Sequence, residues 1–267
     1  MSPNQQIPIL SSLGNDLLQT TPYQRVITLL RPFVLLIAYI VVYSLSYWWI
    51  TPLIVFFLFI AIVTATHDVV HSSLGLSQRA TNWALFIFGG ILLASGHSYK
   101  ISHLQHHRVF PGPDDPEGDP ARMTLWQAVF HGPIFLVLLW HWSWKRSSFQ
   151  ERHWLLAEAI QVGFIIVLGI VLWPITHAVL LYVLLVHVGT WVFPLLNVYL
   201  PHHNYGQTPF TQTHTLRGRF IPTLFLELTY HLEHHLYPQV PSHNLGKLAQ
   251  RLEPTFQEFG VVPRRVL

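Results

Sequence analysis

Two long windows of the chain carry no Lys or Arg. The first runs from Pro32 to Gln78, and its apolar part, Phe33 to Ala65, has no formal charge at all. That is too long for a single crossing of a bilayer, which needs about 20 residues. Thr51-Pro52 falls near its middle, and proline breaks or kinks a helix because it lacks the N–H and clashes with the preceding turn. The pattern predicts helices over 33–50 and 52–70 joined by a short turn. Trp48 and Trp49 stand at that turn, where an interfacial aromatic belt is expected. The second window runs from His153 to Leu216, with Glu158 as its only formal charge. Trp173-Pro174 divides it into predicted spans over 154–173 and 175–198.

The expected architecture is therefore all-α and membrane-integral. Two long transmembrane hairpins give four spans, with interfacial helices and a histidine-rich cap on the cytoplasmic side. All 15 Lys and Arg lie outside the hairpins. By the positive-inside rule they mark the cytoplasmic face, so both termini and the cap are expected there. The stretch 82–95 is short for a span and reads as re-entrant or interfacial. The stretch 124–142, interrupted by His131-Gly132-Pro133, reads as lying along the bilayer surface. The expected division is a cytoplasmic N-terminal segment 1–31, a membrane domain 32–250 and a C-terminal tail 251–267. Asn4, Gln5, Gln6, Asn15 and Asp16 make the start of the chain too polar for a secretory signal peptide.

Composition narrows the chemistry. Only 10% of residues are charged, against roughly 25% in soluble domains. The absence of cysteine excludes disulfides, zinc–thiolate sites and iron–sulfur ligation by this chain. A net charge of +3 with scattered basic residues leaves no nucleic-acid footprint. The outlier is histidine, with 18 residues.

Most of those histidines fall in tight groups. His67 and His71 stand four apart in H-D-V-V-H. His103, His106 and His107 form H-L-Q-H-H, and His231, His234 and His235 repeat that spacing in H-L-E-H-H. On a helix, positions i, i+3 and i+4 share one face, so each group can aim its imidazoles at one point. His202 and His203 follow the last predicted span. So many imidazoles exceed the four ligands of one zinc and point to two metals. Imidazole suits Zn, Cu, Fe and Ni alike, so spacing leaves the metal open.

These three groups resemble the histidine boxes of the integral-membrane fatty acid desaturase superfamily. The similarity spans roughly residues 30–250 and is most specific in Tyr230–Pro241. The resemblance implies a non-haem di-iron centre, dioxygen as co-substrate, and electrons from an external donor such as ferredoxin or cytochrome b5 with its reductase. It implies His67, His71, His103, His106, His107, His231, His234 and His235 as ligands. Tyr199-Leu200-Pro201-His202 is similar to the L-P-H segment of membrane carotenoid ring hydroxylases and ketolases. Those enzymes are short and lack a fused cytochrome b5 domain, as this chain does. By that resemblance His202 is a ninth ligand. Those enzymes commonly carry Arg after this histidine, whereas His203 stands here, which keeps both residues as candidates. The implied activity is oxidation of a C–H bond in a lipid-soluble substrate drawn from the bilayer. A carotenoid ring is favoured, and a fatty acyl chain is the alternative. A membrane metal or haem carrier is the non-enzyme alternative, although transport would call for polar residues along the spans.

A ligating histidine needs a partner for its other ring nitrogen. Asp68, Glu227 and Glu233 are candidates by nearness in sequence, Asp68 being equally readable as a helix-end carboxylate facing water. His97 is a further ligand candidate or donor. His131, His141, His153, His177, His187, His214 and His243 have no neighbour at ligand spacing. Asp114–Pro120 reads chiefly as a solvated turn, or else as the edge of a lid beside the second histidine group.

Overall fold

A computed structural model describes residues 7–267. Met1 to Gln6, at the start of the expected N-terminal segment, lie outside the described residues. A short helix α1 (Leu10–Leu13) and a 3-10 turn (Asn15–Leu18) precede the first long helix, α2 (Pro22–Ser44). Thr21 and Gln24 form a reciprocal capping box at its start, with Pro22 at the first helical position. Helix α2 thus begins well before Phe33 and runs straight through buried Pro32. The expected 31/32 boundary falls inside it. One lost backbone hydrogen bond at Pro32 is not enough to end a helix whose neighbours hold it.

The chain turns at Leu45–Tyr47, where Ser46 takes a positive φ of 65°. A 3-10 turn (Trp48–Ile50) then leads into α3 (Thr51–Val70). Trp48 and Trp49 are exposed at this tip. Helix α3 is the central helix of the bundle, buried without a break from Ile60 to Val70.

Helices α4 (Gln78–Leu92) and α5 (Gly96–Val109) form a pair bent by 106°, which places the stretch expected to be re-entrant in a sharp elbow. Gly96 makes the elbow possible, because a Cβ there would lie 2.4 Å from the Leu85 carbonyl oxygen. Helix α6 (Leu125–Arg146) is continuous through Gly132 and Pro133, so these residues do not interrupt it. A Cβ at Gly132 would meet the Trp191 carbonyl at 2.2 Å, and this close approach holds α6 against the last span. The outward face of α6 is apolar, with Trp126, Phe130, Ile134 and Val137 exposed.

The second hairpin is α7 (Phe149–Val171) and α8 (Ala178–Pro194). Helix α8 continues through a π-helical turn (Leu195–Tyr199) into the short α9 (Leu200–His202). Among the described residues, four helical segments are long and apolar enough to cross a membrane: Asn15–Ser44, Trp48–Val70, Phe149–Val171 and Ala178–His202. They form the two hairpins of an all-α integral membrane protein.

Beyond the last span, β1 (Leu216–Arg217), α10 (Phe220–Leu224), α11 (His231–Leu236), α12 (Leu245–Glu258) and β2 (Arg264–Arg265) form a cap, with β1 and β2 paired in parallel. The expected 250/251 boundary falls inside α12. This helix buries Leu245, Leu248, Leu252 and Phe256 along one stripe against Leu17, Leu232 and Tyr237. One core therefore joins the N-terminal segment to the helix that carries the third histidine group.

Candidate metal centre

Four separate pieces of chain bring imidazoles to one place. His67 lies in the last turn of α3 and His71 is its C-cap. Helix α5 supplies His103, His106 and His107, α9 ends on His202, and α11 supplies His231, His234 and His235. In each of two groups, one ring nitrogen per histidine lies within 4.8 Å of the others: His67, His71, His103 and His234, and His106, His202 and His235. His107 joins the first group, its Nε2 being 3.2 Å from that of His103 and 2.8 Å from that of His234. His231 joins the second, 2.9 Å from His202 Nε2 and 3.1 Å from His235 Nε2. The two groups touch, with the His107 and His235 ring centroids 4.5 Å apart.

Three of the nine rings are held from outside through the opposite nitrogen, while Nδ1 of His67, His107 and His234 is buried without a partner. Asp115 Oδ2 lies 2.7 Å from His106 Nδ1, and Glu117 Oε1 lies 2.8 Å from His103 Nδ1. His202 Nδ1 donates to the Gln212 carbonyl at 3.0 Å. The Asp115 carboxylate is itself fixed, because its Oδ1 accepts from Glu117 N and Gly118 N. Burial pushes the Glu117 carboxyl well above its ordinary range, and the neighbouring Asp115 adds to the effect.

This corrects the reading of 114–120 as a solvated turn. Asp115 and Glu117 are 1% and 3% exposed, whereas Asp114 faces outward and pairs with Arg146. The loop folds back along α5, so the middle pair, Asp115 and Glu117, meets the helix while the flanking Asp114 and Asp119 meet solvent. Sequence reasoning missed both carboxylates as partners. The available signal was the acidic spacing within one loop length of His103 and His106.

The donor set fits a pair of metal ions. His106 and His202 each spend Nδ1–H on an oxygen acceptor, which leaves both Nε2 atoms as lone pairs 3.3 Å apart. Two facing lone pairs repel unless a cation lies between or beside them. Burial holds His231 down to about 3, and holds His234 and His235 well below the usual imidazole range, with the surrounding histidines adding to the effect. These rings are therefore neutral at physiological pH and able to ligate. A cluster of neutral imidazoles, three of them oriented by outward hydrogen bonds, suits iron or another borderline metal.

The remaining candidates lie elsewhere. His97 is outside both groups; its Nδ1 is 2.7 Å from Glu158 Oε1, and its ring stacks on Trp154 at 4.9 Å. His203 is also outside, because the backbone turns to an extended conformation after His202, and its ring stacks on Tyr199. Asp68 does not face water. It is 1% exposed and accepts from Ser242 N and Oγ at 2.9 and 2.7 Å. Its oxygen is 3.8 Å from His67 Nδ1, too far for a hydrogen bond. Glu233 accepts from Arg217 Nε and Nη2 at 3.0 and 2.8 Å, tying α11 to β1 instead of holding an imidazole. Glu227 accepts from Gly246 N at 2.9 Å, in the cap and away from the histidines. His131, His141, His153, His177, His187, His214 and His243 belong to neither group.

A cleft of ≈ 590 Å³ runs along α3 and α8 and ends at His231. On α3 it extends from Pro52 to Val63, a rise of about 16 Å at 1.5 Å per residue. Its walls along the two spans are apolar apart from Asn197, while His214 and Arg264 stand at its cap end.

No curated protein matches the chain. The family profile described as fatty acid desaturase matches residues 43–266, a range that takes in all three histidine groups, His202, and the Asp115–Glu117 loop. On that match the chain belongs to the fatty acid desaturase family, whose members are oxygen-dependent di-iron oxidoreductases of membranes.

Proposed function

We propose that this chain oxidises the end ring of a carotenoid, as a hydroxylase or ketolase, with two irons held by nine histidines. His67, His71, His103, His107 and His234 would hold one ion, and His106, His202, His231 and His235 the other. Bound there, the iron pair with dioxygen supplies the oxidising power to take hydrogen from an unactivated C–H bond. The protein's own residues do the rest. Asp115, Glu117 and the Gln212 carbonyl orient His106, His103 and His202 through Nδ1. The α3–α8 cleft admits an apolar molecule from the bilayer and excludes water from its path to His231.

The observation that carries this reading is the cleft itself. Its apolar length lies within the spans and its inner end reaches a ring of the second histidine group. The L-P-H segment adds support, since its histidine is the one that joins the cluster. All 15 basic residues lie outside the apolar stretches 33–70 and 154–198 of the hairpins, which favours a cytoplasmic placement of the histidine face and both termini. Electrons would then come from a soluble or membrane-bound donor on that side, a ferredoxin or cytochrome b5 with its reductase.

One observation favours a second reading. Arg264 and His214 at the cap end of the cleft suit a substrate with a polar or anionic head, as in an acyl lipid or acyl thioester. Expression in a carotenoid-producing host, with pigment and acyl-lipid analysis, separates the two. New oxygenated carotenoids support the first reading. An unchanged pigment profile with new acyl double bonds rejects it in favour of the second.

A further inference from the structure

The cleft has a neighbour. A second, smaller chamber of ≈ 40 Å³ lies on the far side of Phe59, Val63 and Phe193, and these three residues line both spaces. The chamber's other walls combine short side chains, among them Gly89, Ala94, Ser95 and Thr190, with leucines from α4 and α6. It also reaches Tyr99, whose ring stacks on His103 at 4.7 Å. The shared wall is therefore thin, aromatic and close to the histidines.

The position of Phe59 in that wall is fixed. Its ring stands at 62° to that of Phe193, with centroids 6.5 Å apart. It also nests on the bare backbone of Gly189, where a Cβ would lie 2.5 Å from Cδ2 and 2.7 Å from Cε2. The missing methyl on α8 is thus the seat of the ring. Deleting the ring opens the wall between the two spaces, whereas trimming cleft residues other than Phe59, Val63 and Phe193 leaves that wall in place.

We propose that Phe59, seated on Gly189 and edged by Phe193, is the specificity-determining residue of the cleft: it sets how wide a substrate end can lie beside the histidines. The chamber behind it is the space that a wider end group takes when the wall is trimmed. This rests on the reading of the cleft as the substrate site, so its test reads binding and not oxidation.

The test uses the iron-loaded protein in detergent and two fluorescent polyenes, all-trans-retinol with its trimethylated ring and cis-parinaric acid with its straight chain. Phe59→Ala is expected to tighten retinol relative to parinaric acid by about tenfold, the equivalent of one or two newly buried methyl groups. Phe59→Leu is expected to shift the ratio in the same direction by about threefold, and it serves if the alanine variant does not fold. Val188→Ala trims the cleft away from the shared wall and should change both affinities alike. A Phe59 variant that leaves the ratio unchanged overturns the proposal, as does a Val188→Ala shift equal to that of Phe59→Ala. If the wild-type protein binds neither polyene, the cleft is not the substrate site and the wall has no role. Binding with the expected ratio but without oxidation of either substrate class rejects the proposed reaction alone.

Discussion

Asp115 and His106 stand nine residues apart and meet at 2.7 Å, carboxylate Oδ2 against ring Nδ1. This contact fixes which nitrogen of His106 carries the proton, and so aims the lone pair of Nε2 at the cluster. It also closes the loop, because the other oxygen of Asp115 accepts from Glu117 N and Gly118 N. Asp115→Ala removes both effects at once. Iron retention is expected to fall roughly 10- to 100-fold, read as iron per protein after a timed chelator challenge. Asp115→Asn keeps a carbonyl acceptor and should lose less.

His202 and His203 are adjacent yet have opposite fates. His202 Nε2 sits 2.9 Å from that of His231, while the ring of His203 turns away to stack on Tyr199. His202→Ala is expected to lose iron and turnover, and His203→Ala to retain its iron. Elemental analysis of the two variants checks this directly, and equal losses would contradict it.

The sequence made the two hairpins and the histidine spacing legible because both are local patterns. Charge-free windows report apolar surroundings directly, and i, i+3, i+4 spacing reports a helix face directly. What it hid was pairing across the chain. Asp68 lies beside His67 yet binds Ser242, 174 residues away. Glu233 lies between two histidines yet reaches Arg217. Nearness in sequence was a poor guide for these carboxylates, since on a helix the neighbour of a ligand points to another face. The charge-free window began at Pro32, but the capping box at Thr21 starts α2 ten residues earlier and the helix runs through that proline. The choice between His202 and His203 depended on where α9 stops, which spacing alone does not fix.

Glu158 is the one acidic residue within the apolar stretch of the second hairpin, 154–198, and it is fully buried. It receives the Ser95 hydroxyl, the His97 backbone N–H and His97 Nδ1, all at the start of α5. A carboxylate there suits the positive end of the helix and anchors the element that carries three histidines. Glu158→Leu leaves three polar groups buried without partners, at about 1–3 kcal/mol each. A loss of about 3 kcal/mol corresponds to a fall in Tm of about 6–12 °C. His97→Ala, by contrast, should keep its iron, because this ring lies outside both groups. Thermal unfolding in detergent together with metal content tests the pair.

The supply of electrons follows from what the chain lacks. Inserting one oxygen atom of dioxygen into a C–H bond and reducing the other to water takes two electrons and two protons from outside. With no cysteine in its sequence, this chain cannot hold an iron–sulfur cluster of its own to store them. An iron pair alone can support at most the turnover for which it was loaded in the reduced state. The purified protein given substrate and oxygen is therefore expected to stall after about one turnover. Adding a ferredoxin with its reductase, or cytochrome b5 with its reductase, should restore continuous product formation. The check is product formed per protein over time with each donor system, and sustained turnover without any donor would contradict the electron count.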